Sequence, residues 1–309
     1  MANSQNQVID DDGPEKCGFV AIIGAPNAGK STLLNELVGA KVAIVSHKVQ
    51  TTRTRVTGIG MHGNTQLVFI DTPGIFAPKR RLDRAMVNAA WKGSQDAETT
   101  VLLIDAKKGL TEDVERILTG LKEAGRKVIL GINKIDTVRH EALLALTQKM
   151  NETGSFTDIF MISALSGDGV GDLKQHLADL APAGPWMYPE DQISDTTMRL
   201  LAAEITREKI YLRLHEELPY AITVETEAWE EQKNGSVRIE QVIHVERDSQ
   251  KGIVIGKGGA MLKLLGQMAR EDMSESFDRK VHLFLHVRVT EKWANDREIF
   301  KNMGLDYVD

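Results

Sequence analysis

From Cys17 onward the chain alternates short apolar runs with amphipathic stretches of helix length. FVAIIG precedes a stretch that reads as a helix from Lys30; QLVFID follows; TTVLLID precedes a helix after Thr111; KVILGIN precedes one from Val138; DIFMIS precedes GDLKQHLADL. Short continuous apolar runs between turn signals fit buried strands, and the longer stretches carry the three- and four-residue apolar spacing of helices. Strands that alternate with helices build a mostly parallel sheet covered on both faces. Residues 17–181 are therefore expected to form one α/β domain.

The pattern then breaks. APAGPWMYPEDQISD carries Pro182, Pro185 and Pro189, which withhold backbone donors and disfavour helix, so 182–195 reads as a linker. Beyond it a long helix is expected over 196–217. Two strands follow, YAITVETEAWE and SVRIEQVIHVER, joined across an Asn-Gly turn signal, then a helix after Gly259 and a last strand VHLFLHVRVTE. This α-β-β-α-β order makes 196–309 a separate α+β domain.

Composition adds limits. At 309 residues the chain suits two domains of roughly 100 to 200 residues each. A net charge of −6 excludes a general polyanion magnet, so any nucleic-acid site must be local. The single cysteine, Cys17, forms no intrachain disulfide or CxxC pair and reads as a small strand residue in a reducing interior. Residues 1–16 are polar and acidic, read as a flexible tail, and lack the basic start and apolar run of a signal peptide. With no apolar stretch of membrane-spanning length, a cytoplasmic location is expected.

Chemistry enters directly after the first strand. Gly24-Ala25-Pro26-Asn27-Ala28-Gly29-Lys30-Ser31, followed by Thr32, fits GxxxxGK[ST] in the strand, loop, helix setting that the motif requires. Backbone N–H groups turn toward phosphate at the positive end of the helix, Lys30 reaches the β and γ phosphates, and the Ser31 hydroxyl suits Mg²⁺. Asp71-Thr72-Pro73-Gly74 closes QLVFID. Asp71 there suits Mg²⁺ through water, and the Gly74 N–H suits a γ-phosphate whose loss would release the loop. Between them Gln50-Thr51-Thr52-Arg53-Thr54-Arg55 offers a Thr hydroxyl to the metal, and Thr52 is the choice over Thr51; a solvated Thr/Arg loop is the competing reading.

The base end selects the nucleotide. Asn133-Lys134-Ile135-Asp136 follows KVILGI, and a carboxylate at Asp136 accepts from N1 and N2 of guanine, a donor pair that adenine lacks. The Lys134 stem would cover the face of the base. Alone, Asp136 has a competing reading as a helix N-cap. Ser163-Ala164 at the end of the next strand adds a backbone N–H for guanine O6. All five elements stand beyond carboxyl ends of strands, where open α/β sheets bind ligands.

With these motifs the first domain resembles the translation-factor class of GTPases. It departs from the Ras pattern at Ile75, where that pattern has the Gln that orients the attacking water. The resemblance implies Lys30, Thr52 and Gly74 as catalytic groups, Mg²⁺ as cofactor, and Asn27 as a residue that helps hold K⁺ beside the phosphates; a turn-forming Asn is the alternative.

In the second domain acidic side chains outnumber basic ones, yet the window from Lys251 to Arg270 carries Lys251, Lys257, Lys263 and Arg270 and no acid. It surrounds Val254-Ile255-Gly256-Lys257-Gly258-Gly259, which reads as GxxG between an apolar strand end and a helix. KH domains clamp single-stranded backbone with such a loop: glycines admit phosphates and the basic residue between them favours their charge. The element order suits the second type of KH fold.

The whole chain resembles the family of bacterial GTPases with a C-terminal KH domain, through the motifs above, PEDQISD, LAAEITREKIYLRLHEELPYAITVE and GLDYVD. That resemblance implies slow GTP hydrolysis, binding near the 3′ end of small-subunit ribosomal RNA, and a part in assembling that subunit. The competing reading is a nucleotide-dependent scaffold for a protein or membrane partner. Mixed signs in REKIYLRLHEEL leave only peripheral membrane contact open. His282 and His286 share a strand face but stand about 13 Å apart, too far for one metal. Phe284 between them is expected to pack under a neighbouring element, with stacking on a base as the competing reading, and Met261, Met268 and Met273 to fill core.

Overall fold

The computed structural model describes residues 13–46, 48, 51–214 and 218–307. Most of the expected tail, Gln50, the end of the expected 196–217 helix and the last two residues lie outside them. The first domain runs β1 (Lys16–Gly24), α1 (Lys30–Val38), β2 (Val56–His62), β3 (Thr65–Asp71), α2 (Arg81–Asp96), β4 (Thr99–Asp105), α3 (Glu112–Glu123), β5 (Val128–Asn133), α4 (His140–Asn151), β6 (Phe156–Ile162) and α5 (Val170–Leu180). Its sheet has the order β2-β3-β1-β4-β5-β6, parallel except for β2 against β3. Leu33, Leu34 and Leu37 of α1 join Leu173 and Leu177 of α5 on one face; Ala90 of α2, Ile117 and Leu121 of α3 and Leu143 of α4 cover the other. Strands covered on both sides show no polar alternation, which is why their runs are continuous in sequence.

The apolar alternation does not announce two of these elements. Strand β2 contains Gly58 and Gly60; a Cβ at Gly58 would lie 2.6 Å from Leu34 Cδ1, so the strand passes under α1 only without side chains there. Helix α2 is largely polar, and its apolar stripe is completed from the far end of the chain.

The linker is held. Gln66, fully buried in β3, accepts from the backbone N–H of Met187 (2.9 Å) and Tyr188 (3.0 Å) and donates to Tyr188 O (2.9 Å), while Ile59 N donates to Ile193 O (2.9 Å). The second domain then runs α6 (Met198–Arg213), β7 (Thr223–Glu231), β8 (Val237–Val245), α7 (Asp248–Ile255), α8 (Ala260–Ser276), β9 (Val281–Val289) and α9 (Arg297–Asn302). Strands β7 and β8 are antiparallel, β8 and β9 parallel. Two expectations change here. Val254 and Ile255 end a helix rather than a strand, because Asp248 to Ile255 pack through Val254 into the core beside Leu265 of α8. Phe284 is 46% exposed, on the sheet face opposite the helices, with the Arg238 guanidinium 4.9 Å from its ring centre. Met273 is buried as core.

The C-terminal segment returns to the first domain. Trp293, Phe300, Met303 and Leu305 pack against Leu82, Ala85 and Met86 of α2.

Candidate functional site

Strand β1 delivers the chain into a loop that turns back at Gly29. Gly29 has φ 98°, and a Cβ there would lie 2.3 Å from Asn133 Nδ2, so both conformation and space demand glycine. The following helix places Lys30 with Nζ donating to Gly24 O (3.2 Å) and Ala25 O (3.1 Å). Ser31 Oγ donates to Asp71 Oδ2 (2.6 Å) and lies 2.7 Å from Thr52 Oγ1, which also donates to Asp71 Oδ2 (3.3 Å). Three oxygens from α1, the 51–55 segment and the end of β3 thus meet at one point. Thr51 turns the other way: its hydroxyl donates to Lys48 O (2.7 Å) and lies 3.0 Å from Ser46 Oγ.

Burial lowers the Lys30 ammonium to about 8 in spite of the Asp71 charge, and raises Asp71 to about 6 against Lys30 and the Ser31 and Thr52 hydroxyls. Both groups are thus pushed toward neutrality when nothing shares the site with them. Asp71 Oδ1 is buried without a hydrogen-bond partner of normal geometry. An all-oxygen donor set with a spare buried carboxylate oxygen fits Mg²⁺.

Gly74 lies against this loop, where a Cβ would be 2.9 Å from the Pro26 ring, and Ile75 N donates to Gly24 O (3.0 Å) with its side chain buried. Thr72 faces away and ties to Ile22 O (2.9 Å); Pro73 is buried beside it.

At the base end Asn133 is a brace: Nδ2 donates to Ala28 O (2.8 Å) and Oδ1 accepts from Ala164 N (2.9 Å), joining phosphate loop, β5 and the loop after β6. Lys134 Nζ donates to Asn27 O (2.7 Å) and pairs with Asp105 Oδ2 (2.8 Å). Burial raises Asp105, but Lys134 and the Lys107 and Lys108 N–H groups more than offset it, so its pKa is lowered. Asp136 is exposed and accepts from Ser163 Oγ (2.7 Å). Of the expected O6 donors, Ser163 N donates to Asp168 O (2.9 Å) and Ala164 N to Asn133 Oδ1. Leu165 N–H stands next in that loop. Asn27, Lys30, Ser31, Thr32, Thr52 and Asp136 line a cavity of about 470 Å³, within the small-ligand range. Val45 and Leu165 also line it; both are exposed apolar side chains beside polar motifs, a signal that sequence reasoning passed over.

In the second domain Gly256, Gly258 and Gly259 take φ of 73°, 59° and 80°, a run that only glycine accommodates readily, with exposed Lys257 between them. A Cβ at Gly256 would lie 2.7 Å from Met261 Cβ. Lys251 and Ile255 stand on α7, Lys263 and Arg270 two turns apart on α8. None of Lys251, Lys257, Lys263 and Arg270 forms an ion pair among the described residues.

The two sites meet through Arg53, next to Thr52. Its side chain is 1% exposed; Nη1 donates to Ile222 O (2.8 Å) and Nη2 to Tyr211 OH and Tyr220 O (both 3.1 Å), and the guanidinium lies 5.5 Å from the Trp293 ring centre. Arg207 donates to Thr51 O, and Glu208 Oε1 accepts from Val45 N (2.9 Å). The second domain therefore grips the segment that carries Thr52. The competing reading of a solvated Thr/Arg loop does not hold for Arg53, whose partners about 160 positions away nothing local signals.

A phosphate loop, an oxygen cluster for Mg²⁺ and an Asp136 loop on a parallel sheet, joined to an α-β-β-α-α-β domain with a GxxG turn, define a P-loop GTPase with a C-terminal KH domain. Family models agree: one described as a 50S ribosome-binding GTPase matches residues 19–134, and one described as a KH domain matches 217–294. The chain is 58% identical over 307 residues to GTPase Era of Rhizobium meliloti, covering 99% of this chain and 98% of the relative. It is 60% identical over 292 residues to GTPase Era of Brucella suis biovar 1, covering 94% of each. Two solved structures match with TM-score 0.89 at 38% identity, over 94% of this chain and 99% of theirs: Era in complex with MgGDPNP and nucleotides 1506–1542 of 16S ribosomal RNA, and a variant of Aquifex aeolicus Era bound to GDP and AlF4⁻. The chain belongs to the Era family of GTPases. No helix among the described residues is long and apolar enough to cross a membrane.

Proposed function

We propose that this GTPase is a cytoplasmic switch whose nucleotide state controls capture of the 3′ end of small-subunit ribosomal RNA during assembly of that subunit. The observation that carries the reading is the adjacency of Thr52, in the oxygen cluster, and Arg53, buried in the KH domain. The 16S fragment held by an Era of the same fold favours the small subunit over the large one named for the broader family.

In this reading Lys30 and the N–H groups of the loop before it hold the β and γ phosphates, and Gly74 N–H meets the γ-phosphate. Ser31, Thr52 and Asp71 would hold Mg²⁺, which would supply charge neutralisation at the transferring phosphoryl group. Asp136 accepts from guanine N1 and N2, a backbone N–H of the Ser163-Ala164 loop donates to O6, and the Lys134 stem covers the base. Ile75 offers no polar group to the attacking water, so its positioning falls to backbone groups; Asn27 would help hold a K⁺, which would add positive charge beside the phosphates. Turnover is therefore slow in isolation. Phosphates of single-stranded RNA lie on Gly256 to Gly259, with Lys251, Ile255, Lys263 and Arg270 beside them.

GTP hydrolysis measured with Mg²⁺ in K⁺ and in Na⁺ tests the enzyme half, with faster turnover expected in K⁺. No hydrolysis even with Mg²⁺, K⁺ and RNA would overturn it. For the RNA half, Gly258→Asp sets a carboxylate where the loop has open space. RNA affinity should collapse while GTP affinity stays; unchanged RNA affinity would favour the scaffold reading.

A further inference from the structure

We propose that the same RNA continues from the GxxG loop into an arginine-lined cleft between the two domains, so that the GTPase domain itself holds phosphates. This rests on the RNA-binding reading above. The cleft, of about 760 Å³, receives Arg80 and Arg81 from the start of α2 and Arg213 and Arg247 from the second domain. None of the four forms an ion pair with a carboxylate among the described residues. The wall carries two carboxylates, Asp83 and Glu246; Asp83 Oδ2 is engaged by the backbone N–H of Lys79 and Arg80, both at 3.0 Å. Arg81 is fixed, its guanidinium 4.8 Å from the Tyr307 ring centre and its Nη1 donating to the Tyr307 hydroxyl.

Positive charge here stands over an apolar floor that includes Leu214, Tyr220, Trp293 and Ile253, the last 55% exposed. Guanidinium forks take phosphate oxygens in pairs, and their planes and aromatic rings stack on bases, so the combination suits a single RNA strand. Continuity selects that occupant over an acidic peptide. Met261 lines the cleft and is also the residue against which Gly256 packs, so a strand clamped by the loop passes into the cleft without leaving the surface. Arg80 follows Gly74 by six residues, and phosphates held there engage the segment that leaves the γ-phosphate contact.

The test uses the full chain with a non-hydrolysable GTP analogue and two single-stranded fragments from the 3′ end of small-subunit ribosomal RNA. One has about 6 nucleotides, enough for a GxxG loop that clamps about four, and the other about 20. Affinity is read across a salt series for the parent, for Arg80→Ala with Arg247→Ala, and for Arg80→Lys with Arg247→Lys. Arg80 and Arg247 are both exposed, so an unchanged thermal midpoint is expected in each variant. The alanine pair should weaken the long fragment about tenfold and lower its salt slope by about 1.4, at about 0.7 per phosphate contact, and leave the short fragment unchanged. The lysine pair should keep the slope. Parent-like affinity and slope of the alanine pair for the long fragment would overturn the cleft and leave the loop assignment standing; failure of the parent to hold either fragment would remove both.

Discussion

At Asp71 a carboxylate waits for a cation, and its titration reports that wait. Its folded value of about 6 lies above the value of about 3.9 in an unfolded chain, so between those two pH values the ligand-free fold keeps a proton that the unfolded chain has released. The stability that this proton contributes is complete below about pH 4 and is lost as pH rises to 6. Above that, the ionised group costs the ligand-free fold about 2 to 3 kcal/mol, two units at about 1.4 each. Asp71→Asn should therefore raise ligand-free stability in urea unfolding at pH 7 and leave it nearly level at pH 4; an equal gap at both would contradict this. Asp136, exposed and oriented by Ser163, is the residue proposed to act on specificity. Asp136→Asn should weaken GTP by about 1 to 3 kcal/mol, the scale of a bidentate base contact, read by titration of a fluorescent GTP analogue. The Asp136 site was legible because its carboxylate stands at a strand end in a fixed order of motifs. Which N–H groups of the 163–167 loop are engaged within the protein was not, because that depends on the side chain of Asn133.

Among elements, those buried on both faces were read from their apolar runs alone. Strand β2 and helix α2 were missed for one physical reason: each owes its place to a distant partner, the glycines of β2 to Leu34 and Val38 above them, and the stripe of α2 to Trp293 and Phe300. Helix α7 was hidden because its eight residues offer one buried position, Val254, and so too little periodicity. The 51–55 segment is the element that joins the sites. Arg53→Ala would leave the Ile222 and Tyr220 carbonyls without their donor, at an expected cost of about 3 kcal/mol in unfolding free energy, read by denaturant titration. It should also leave RNA affinity nearly the same with either nucleotide. Retained nucleotide dependence in that variant would show that the coupling runs elsewhere.

The whole molecule is closed by its two ends of connection, the linker pinned on Gln66 and the C-terminal segment seated on α2. Phe300, 1% exposed, is the centre of that seat, and Phe300→Ala should cost about 3 to 5 kcal/mol, seen as earlier release of bound fluorescent GDP on heating. An unchanged release temperature would mean that the two domains melt without support from each other. The prolines mark 182–195 as a linker in the sequence, whereas its docking was not legible, since proline content says nothing of what a linker rests on. In the proposed switch, nucleotide state is sensed at Thr52 and reaches the KH domain through Arg53. Its most direct test is the affinity of the full chain for a single-stranded fragment from the 3′ end of small-subunit ribosomal RNA, first with GDP and then with a non-hydrolysable GTP analogue at one fixed salt concentration. Tighter binding with the analogue is the predicted result; equal binding with both would contradict the account and leave two independent modules on one chain.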